Sequence, residues 1–237
     1  MGMTKAAWLA PAVVLVGVMV GCGSGGGEEA SSEASSEASS EVSSSSEAAA
    51  SSEASAPTDA APSGPHETIA DYLQSNGVTQ TLVKRGDPGV PVLNLPMPAG
   101  WRDVGADTPD DAYGAIYLAD PALADNPPAI IARMARLSGE VDQSKILELA
   151  PNAVRNQPGY QGPDTGRASQ LGGFDAAEIA GTVDQGGRTV FVARKTVVIP
   201  GPDEIYLLAL DAQGPPDQEP ALTAAMALID AETTIEP

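Results

Sequence analysis

The hydrophobic positions of this chain change period several times, and the changes mark out its elements. Residues 6–21 are almost wholly apolar, whereas residues 23–65 hold a single large apolar side chain, Val42. From Thr68 the pattern turns helical. Ile69, Tyr72 and Leu73 share one face, Thr68 and Asp71 have the spacing of a capping box, and Asn76-Gly77 supplies a left-handed stop. Strand-like segments follow at 79–84 and 90–95. The second runs into Leu95-Pro96-Met97-Pro98-Ala99-Gly100-Trp101, where two prolines lack donors, which places Trp101 on a loop rather than in a ladder. Residues 112–119 and 129–137 read as two more strands, separated by the turn chemistry of Asp125-Asn126-Pro127-Pro128.

Asp142 then stands at the cap of a helix, with Val141 and Ile146 placed as a hydrophobic staple. Ile146, Leu147, Ala150 and Val154 carry helical spacing through Arg155. Three strands follow at 174–183, 188–199 and 205–211, joined by hairpins at 184–187 and 200–203. The middle strand is apolar on both sides. Val190, Val192 and Val198 lie on one face, Phe191, Val197 and Ile199 on the other, so both faces must be covered. Arg194, set among those valines, is expected to pair across the sheet with Glu178. Residues 217–231 close the series as a helix whose inward stripe is Leu222, Ala225, Met226 and Ile229. Helices at both ends and in the middle, against one mainly antiparallel sheet, predict an α/β fold: a three-layer α/β/α sandwich.

The first apolar run is short for a membrane-spanning helix, which needs about 20 apolar residues. Lys5 precedes it, Pro11 interrupts it, and Val20-Gly21-Cys22 ends it in the manner of a bacterial lipobox, with Met19 where Leu is usual. We therefore read residues 1–21 as a lipoprotein signal peptide and Cys22, the only cysteine, as the new N-terminus and site of lipid attachment. Acyl chains such as palmitate on Cys22 would hold the protein at the extracytoplasmic face of the cell membrane, since each buried CH₂ contributes about 0.8 kcal/mol. Residues 22–65 form the lipidated cysteine and a tether. Ser-Ser-Glu-Ala recurs at 31–34, 35–38 and 51–54, and such a composition buries too little apolar surface to order itself. Its end-to-end distance is roughly 35 Å by the square-root law. Residues 66–237 remain for one globular domain.

Charge narrows the partners. The formal net charge is −20, and residues 66–237 hold eleven basic and twenty-four acidic residues, a balance of −13. That argues against nucleic acid and against anionic headgroups, which both need basic patches. His66 is the sole histidine, so Ser-His-Asp, Cys-His and histidine-rich metal chemistry have no materials. No phosphate-cradling glycine motif is present. The reading is thus of a protein that is not an enzyme, with no catalytic residues, no metal and no cofactor.

Several segments in order resemble a known family, the actinobacterial LpqN/LpqT lipoproteins. They are Thr68-Ile69-Ala70-Asp71-Tyr72-Leu73, the Leu95 to Trp101 segment, Ala112-Tyr113-Gly114-Ala115-Ile116 and Asn126-Pro127-Pro128-Ala129-Ile130. Leu147-Glu148-Leu149-Ala150, Ile205-Tyr206-Leu207-Leu208 and Thr233-Thr234-Ile235 complete the match. The resemblance implies a PsbP-like fold and an envelope protein without established catalysis. It also implies association with trehalose-type glycolipid or lipid precursors and with the machinery that exports mycolates. It brings no motif that defines a pocket. A carrier would need aromatic residues beside an apolar cavity, for which Trp101, Tyr113, Tyr117 and Tyr160 are the candidates, although each of them is better read as plain core. The alternatives are a docking module for envelope transport proteins, marked by a flat apolar patch, and a hydrolase, marked by converging carboxylates with a raised pKa.

Overall fold

The structure is a computed structural model and describes residues 65–202 and 204–237. The expected signal segment, Cys22 and the tether up to residue 64 lie outside the described residues. In chain order the elements begin with α1 (Ile69–Ser75), β1 (Thr79–Val83), β2 (Val92–Asn94), β3 (Trp101–Asp103), β4 (Gly114–Leu118) and β5 (Ala129–Ser138). Next come α2 (Gln143–Leu149), α3 (Asn152–Arg155), β6 (Arg167–Leu171), β7 (Phe174–Asp184), β8 (Thr189–Pro200) and β9 (Ile205–Gly214). The last two are α4 (Glu219–Glu232) and β10 (Thr234–Glu236).

The main sheet is antiparallel, in the order β3-β4-β5-β9-β8-β7-β6. β5 is long enough to hold two strands end to end on one edge. β4 pairs with its first half and β1 with its second, while β9 runs along the whole of the other edge. β2 and β10 form a separate two-stranded ribbon. The sandwich is three-layered, with α4 over one face of the sheet and α1, α2 and α3 over the other.

Alternation along β8 assigns its side chains to two cores. Phe191, Val197 and Ile199 join Leu208 and Leu210 of β9 and Leu222, Ala225 and Ile229 of α4. Val198 packs instead with Leu73, Leu137 and Ile146, and Val192 with Val154, Ile179 and Val183. The caps follow the sequence. Thr68 and Asp71 make the reciprocal capping box, and Asp142 accepts from the amides of Ser144 and Lys145. Val141 and Ile146 pack in one cluster, as a staple requires. At the start of the domain, His66 is held through its backbone, whose N–H donates to Asn156 Oδ1 at 2.8 Å while its carbonyl accepts from Asn156 Nδ2 at 2.6 Å.

Three expectations need correction, and the strand β6 has no counterpart among the expected elements. Trp101 is in a ladder, opposite Leu118. Gly100 has φ +83° and the Trp101 amide donates to the Pro98 carbonyl, so the turn is finished before Trp101 and the chain enters β3 at once. The middle helix is two helices, because Pro151 lacks the N–H that would continue α2 into α3. Arg194 pairs with Asp211 of β9, and the residue opposite Glu178 is Lys195. β6 is a strand although only Leu171 of its side chains is buried, and it turns into β7 through Gly172-Gly173, both at positive φ (56° and 86°).

Leu208 of β9, fully buried in the cluster shared with α4, tests the larger core. Leu208→Ala should lower unfolding free energy by about 2–5 kcal/mol with an unchanged denaturant slope. Urea unfolding of the wild type and the variant measures it.

Candidate functional site

Between α4 and the sheet formed by β6, β7 and β8 lies a cavity of about 680 Å³. Its floor is the α4-facing side of two strands: Glu178 and Ala180 of β7, with Phe191, Ala193 and Lys195 of β8. Thr223, Met226, Ala227 and Asp230 wall it from α4, the three- and four-residue spacing putting them on one face. Pro163, Thr165, Gly166 and Arg167 close the third side. The space has a simple origin. Ala180, Ala193 and Ala227 are small where sheet and helix face each other, so Phe191, Leu222 and Met226 hold the layers apart without filling the gap.

One end of the cavity is charged. Lys195 is the largest fully buried side chain among the described residues, at 1% exposure. An ammonium so placed must be paired. Its Nζ donates to Ser169 Oγ at 2.7 Å and lies 2.9 Å from Glu178 Oε2 and 2.8 Å from Asp230 Oδ1. The Asp230 contact is ionic and off the hydrogen-bonding direction, which leaves Oδ1 buried with no donor. Glu178 also pairs with Arg167 through Oε1. Burial would raise the Glu178 carboxyl, but Lys195, Arg167 and Ser169 together outweigh it and hold the group below the usual carboxylate range.

This arrangement suits binding better than bond-breaking. Both cavity carboxylates rest on the same ammonium, and Glu178 is shifted opposite to what a general acid needs. Lys195 has three acceptor oxygens within 3 Å and no freedom to attack a substrate. The apolar part of the floor, Ala180, Phe191 and Ala193, suits a hydrocarbon body, while Glu178, Asp230 and the exposed Arg167 offer acceptors and donors to hydroxyl groups at its end.

Tyr160 holds the third wall in place. Its hydroxyl donates to the Pro163 carbonyl at 3.0 Å and reaches the Ala180 carbonyl at 3.4 Å. The ring lies so close to Gly162 and Gly181 that a Cβ at either would stand 2.7 Å or less from a Tyr160 atom. The loop at 160–166 is thereby strapped to β7. Burial raises the Tyr160 hydroxyl above its ordinary range.

None of the four aromatic residues singled out from the sequence is among those lining this cavity. Trp101 and Tyr113 are buried, the latter with the Arg85 guanidinium 5.8 Å over its ring. Tyr117 borders a shallow depression of about 330 Å³ with Arg102, Asp120 and Pro121. Tyr160 alone adjoins the cavity, behind its wall. The structure does not bring the four together. Cys22 lies outside the described residues. The signal missed in the sequence was Lys195, which alternation sets among Phe191, Val197 and Ile199 as a charge on a core face.

The folded pKa of Glu178 is lowered, so its contribution to stability is present above the unfolded value, near 4.5, and lost as pH falls through the folded value. Melting temperature should therefore drop between roughly pH 5 and 3. Glu178→Gln should flatten that drop, as melts of both proteins across the range would show.

Comparison with known proteins agrees with the architecture. The family described as "Probable lipoprotein LpqN" matches residues 65–236. Lipoprotein LpqN of Mycobacterium tuberculosis is 40% identical over 175 residues, covering 74% of this chain and 76% of that protein. A crystal structure described as LpqN involved in cell envelope biogenesis of Mycobacterium tuberculosis superposes with a TM-score of 0.70 at 40% identity. It covers 73% of this chain and 100% of that one. An acidic chain folded as an α/β/α sandwich, and matched over nearly all its described length, belongs to the LpqN lipoprotein family.

Proposed function

We propose that this chain is a non-enzymatic lipoprotein of the cell envelope that binds a lipid or trehalose-type glycolipid beneath α4 and assists envelope lipid export or biogenesis, mycolates included. One observation carries the reading: a cavity of about 680 Å³ that is apolar over most of its floor and charged at one end. A ligand with a hydrocarbon body and hydroxyl groups matches both halves. Its hydroxyls donate to carboxylate oxygens of Glu178 and Asp230 and accept from Arg167. The volume admits a sugar or a short acyl segment, so a long chain would leave by the cavity mouth. The description of the Mycobacterium tuberculosis relative, cell envelope biogenesis, agrees with such a role.

The anchor completes the proposal. Residues 1–21 direct export, Cys22 carries acyl chains at the extracytoplasmic face of the membrane, and the acidic tether sets the domain off from it. The ligand is then met at the lipid surface.

Two measurements check this. Ala227 is exposed at the cavity wall, so Ala227→Trp fills space without removing a charge. Incubated with envelope lipid extract and read by native mass spectrometry, the full-length chain should retain a stoichiometric glycolipid that the variant retains at least about tenfold less. An empty wild-type chain, where a known carrier loads, would overturn the reading. Separately, Cys22→Ser should move the protein from the membrane fraction to the soluble one, and a membrane-bound variant would contradict the anchor.

A further inference from the structure

The sheet face turned away from α4 holds a second charged cluster that the proposed lipid site does not use. Arg133 of β5, Arg194 of β8 and Asp211 of β9 meet there by register, Asp211 standing opposite both Ile131 and Arg194. Arg133 donates through Nη1 to Asp211 Oδ2 at 3.0 Å and through Nε to Asp111 Oδ2 at 2.8 Å. Arg194 donates through Nε to Asp211 Oδ1. The side chains of Arg133, Arg194 and Asp211 are 15%, 14% and 18% exposed, whereas Asp111 at the rim is 38% exposed. In the desolvated centre, then, two guanidiniums share one carboxylate. The second carboxylate stands where water screens it.

Arg194 also has an unused edge. Its two terminal nitrogens make no hydrogen bond to any described residue. The side chain borders a cavity of about 50 Å³. Three carboxamides from three separate segments line the same space: Gln157 after α3, Gln185 in the β7–β8 turn and Gln213 near the end of β9. Amides donate hydrogen bonds without adding charge, and a guanidinium edge fits the two oxygens of a carboxylate side by side. The space is too small for a lipid and is sized for a few waters or one small oxyanion. Burial opposes the charge on Arg194, but Asp211 more than compensates, so the cation is retained.

We infer that this pocket is a second binding site, which takes the carboxylate of a small acidic ligand on the free edge of Arg194 with Gln157 and Gln213 as further donors. It lies on the other side of the sheet from the proposed lipid cavity and stands independently of it.

Acetate is the probe and acetamide its neutral counterpart of the same shape. The full-length chain in detergent, labelled with ¹⁵N, is titrated with each at constant ionic strength while the Arg194 side-chain Nε–H resonance is followed. Acetate should shift it saturably and acetamide should not. Gln213→Leu leaves every ion pair of the cluster in place and should weaken acetate by about tenfold, the loss of one hydrogen bond to a charged group. A linear, non-saturating response to acetate would mean that the pocket holds water only and would overturn the proposal. Equal responses to acetate and acetamide, or an unchanged affinity in Gln213→Leu, would overturn it too.

Discussion

Everything in this domain depends on a strand that is buried on both faces. β8 has sheet neighbours on either edge and helices above and below, so its central side chains are buried or nearly so. A strand in that position is expected to be uniformly apolar. Instead it carries Arg194 and Lys195 in succession, and because alternate residues point to opposite faces, each core receives one cation. A buried cation requires carboxylates, and these have to come from neighbouring elements. Asp211 answers from β9, Glu178 from β7 and Asp230 from α4. The two charges therefore fix how β7, β9 and α4 dock on β8 more specifically than leucines and valines would. They also place a polar end inside each of two otherwise apolar layers.

The α4 side shows what such a docking permits. Lys195 and Asp230 tie the helix to the floor at one point, and Leu222, Ala225 and Ile229 seat it along its core face. Between these contacts the facing residues are alanines, so the layers are held at a distance by bulkier neighbours and a void survives. A cavity made by small residues inside a rigid frame is preformed. A ligand entering it does not first have to pry the layers apart.

Much of this was legible in the residues. Capping at Thr68 and Asp142, the staple of Val141 and Ile146, and the two-sided pattern of β8 are local signals, and each appears where it was expected. The missed strands are short or polar. β3 and β10 have three residues each, and β6 owes its place to pairing with β7 rather than to its own composition. Pairing partners are long-range facts. The same limit explains the site. Aromatic residues drew attention because they are large, yet Trp101 and Tyr113 pack into the core, and the cavity is shaped by alanines, whose absence of bulk leaves no mark on a periodicity. Arg194 drew the wrong partner because register across a hairpin cannot be counted from a turn to within one residue.

The outer edges of the sheet carry a further consequence. β3 offers three residues, β1, on the same edge of β5 as β4, presents Thr79, Gln80 and Thr81 with only Val83 buried, and β6 presents Arg167, Ser169 and Gln170 with only its last side chain buried. Edges so short and so polar are poor templates for another chain's strand. With a surplus of thirteen negative charges over residues 66–237, copies of this domain also repel one another as they approach. Edge-to-edge strand pairing between copies of this domain is thus disfavoured by both edge chemistry and charge.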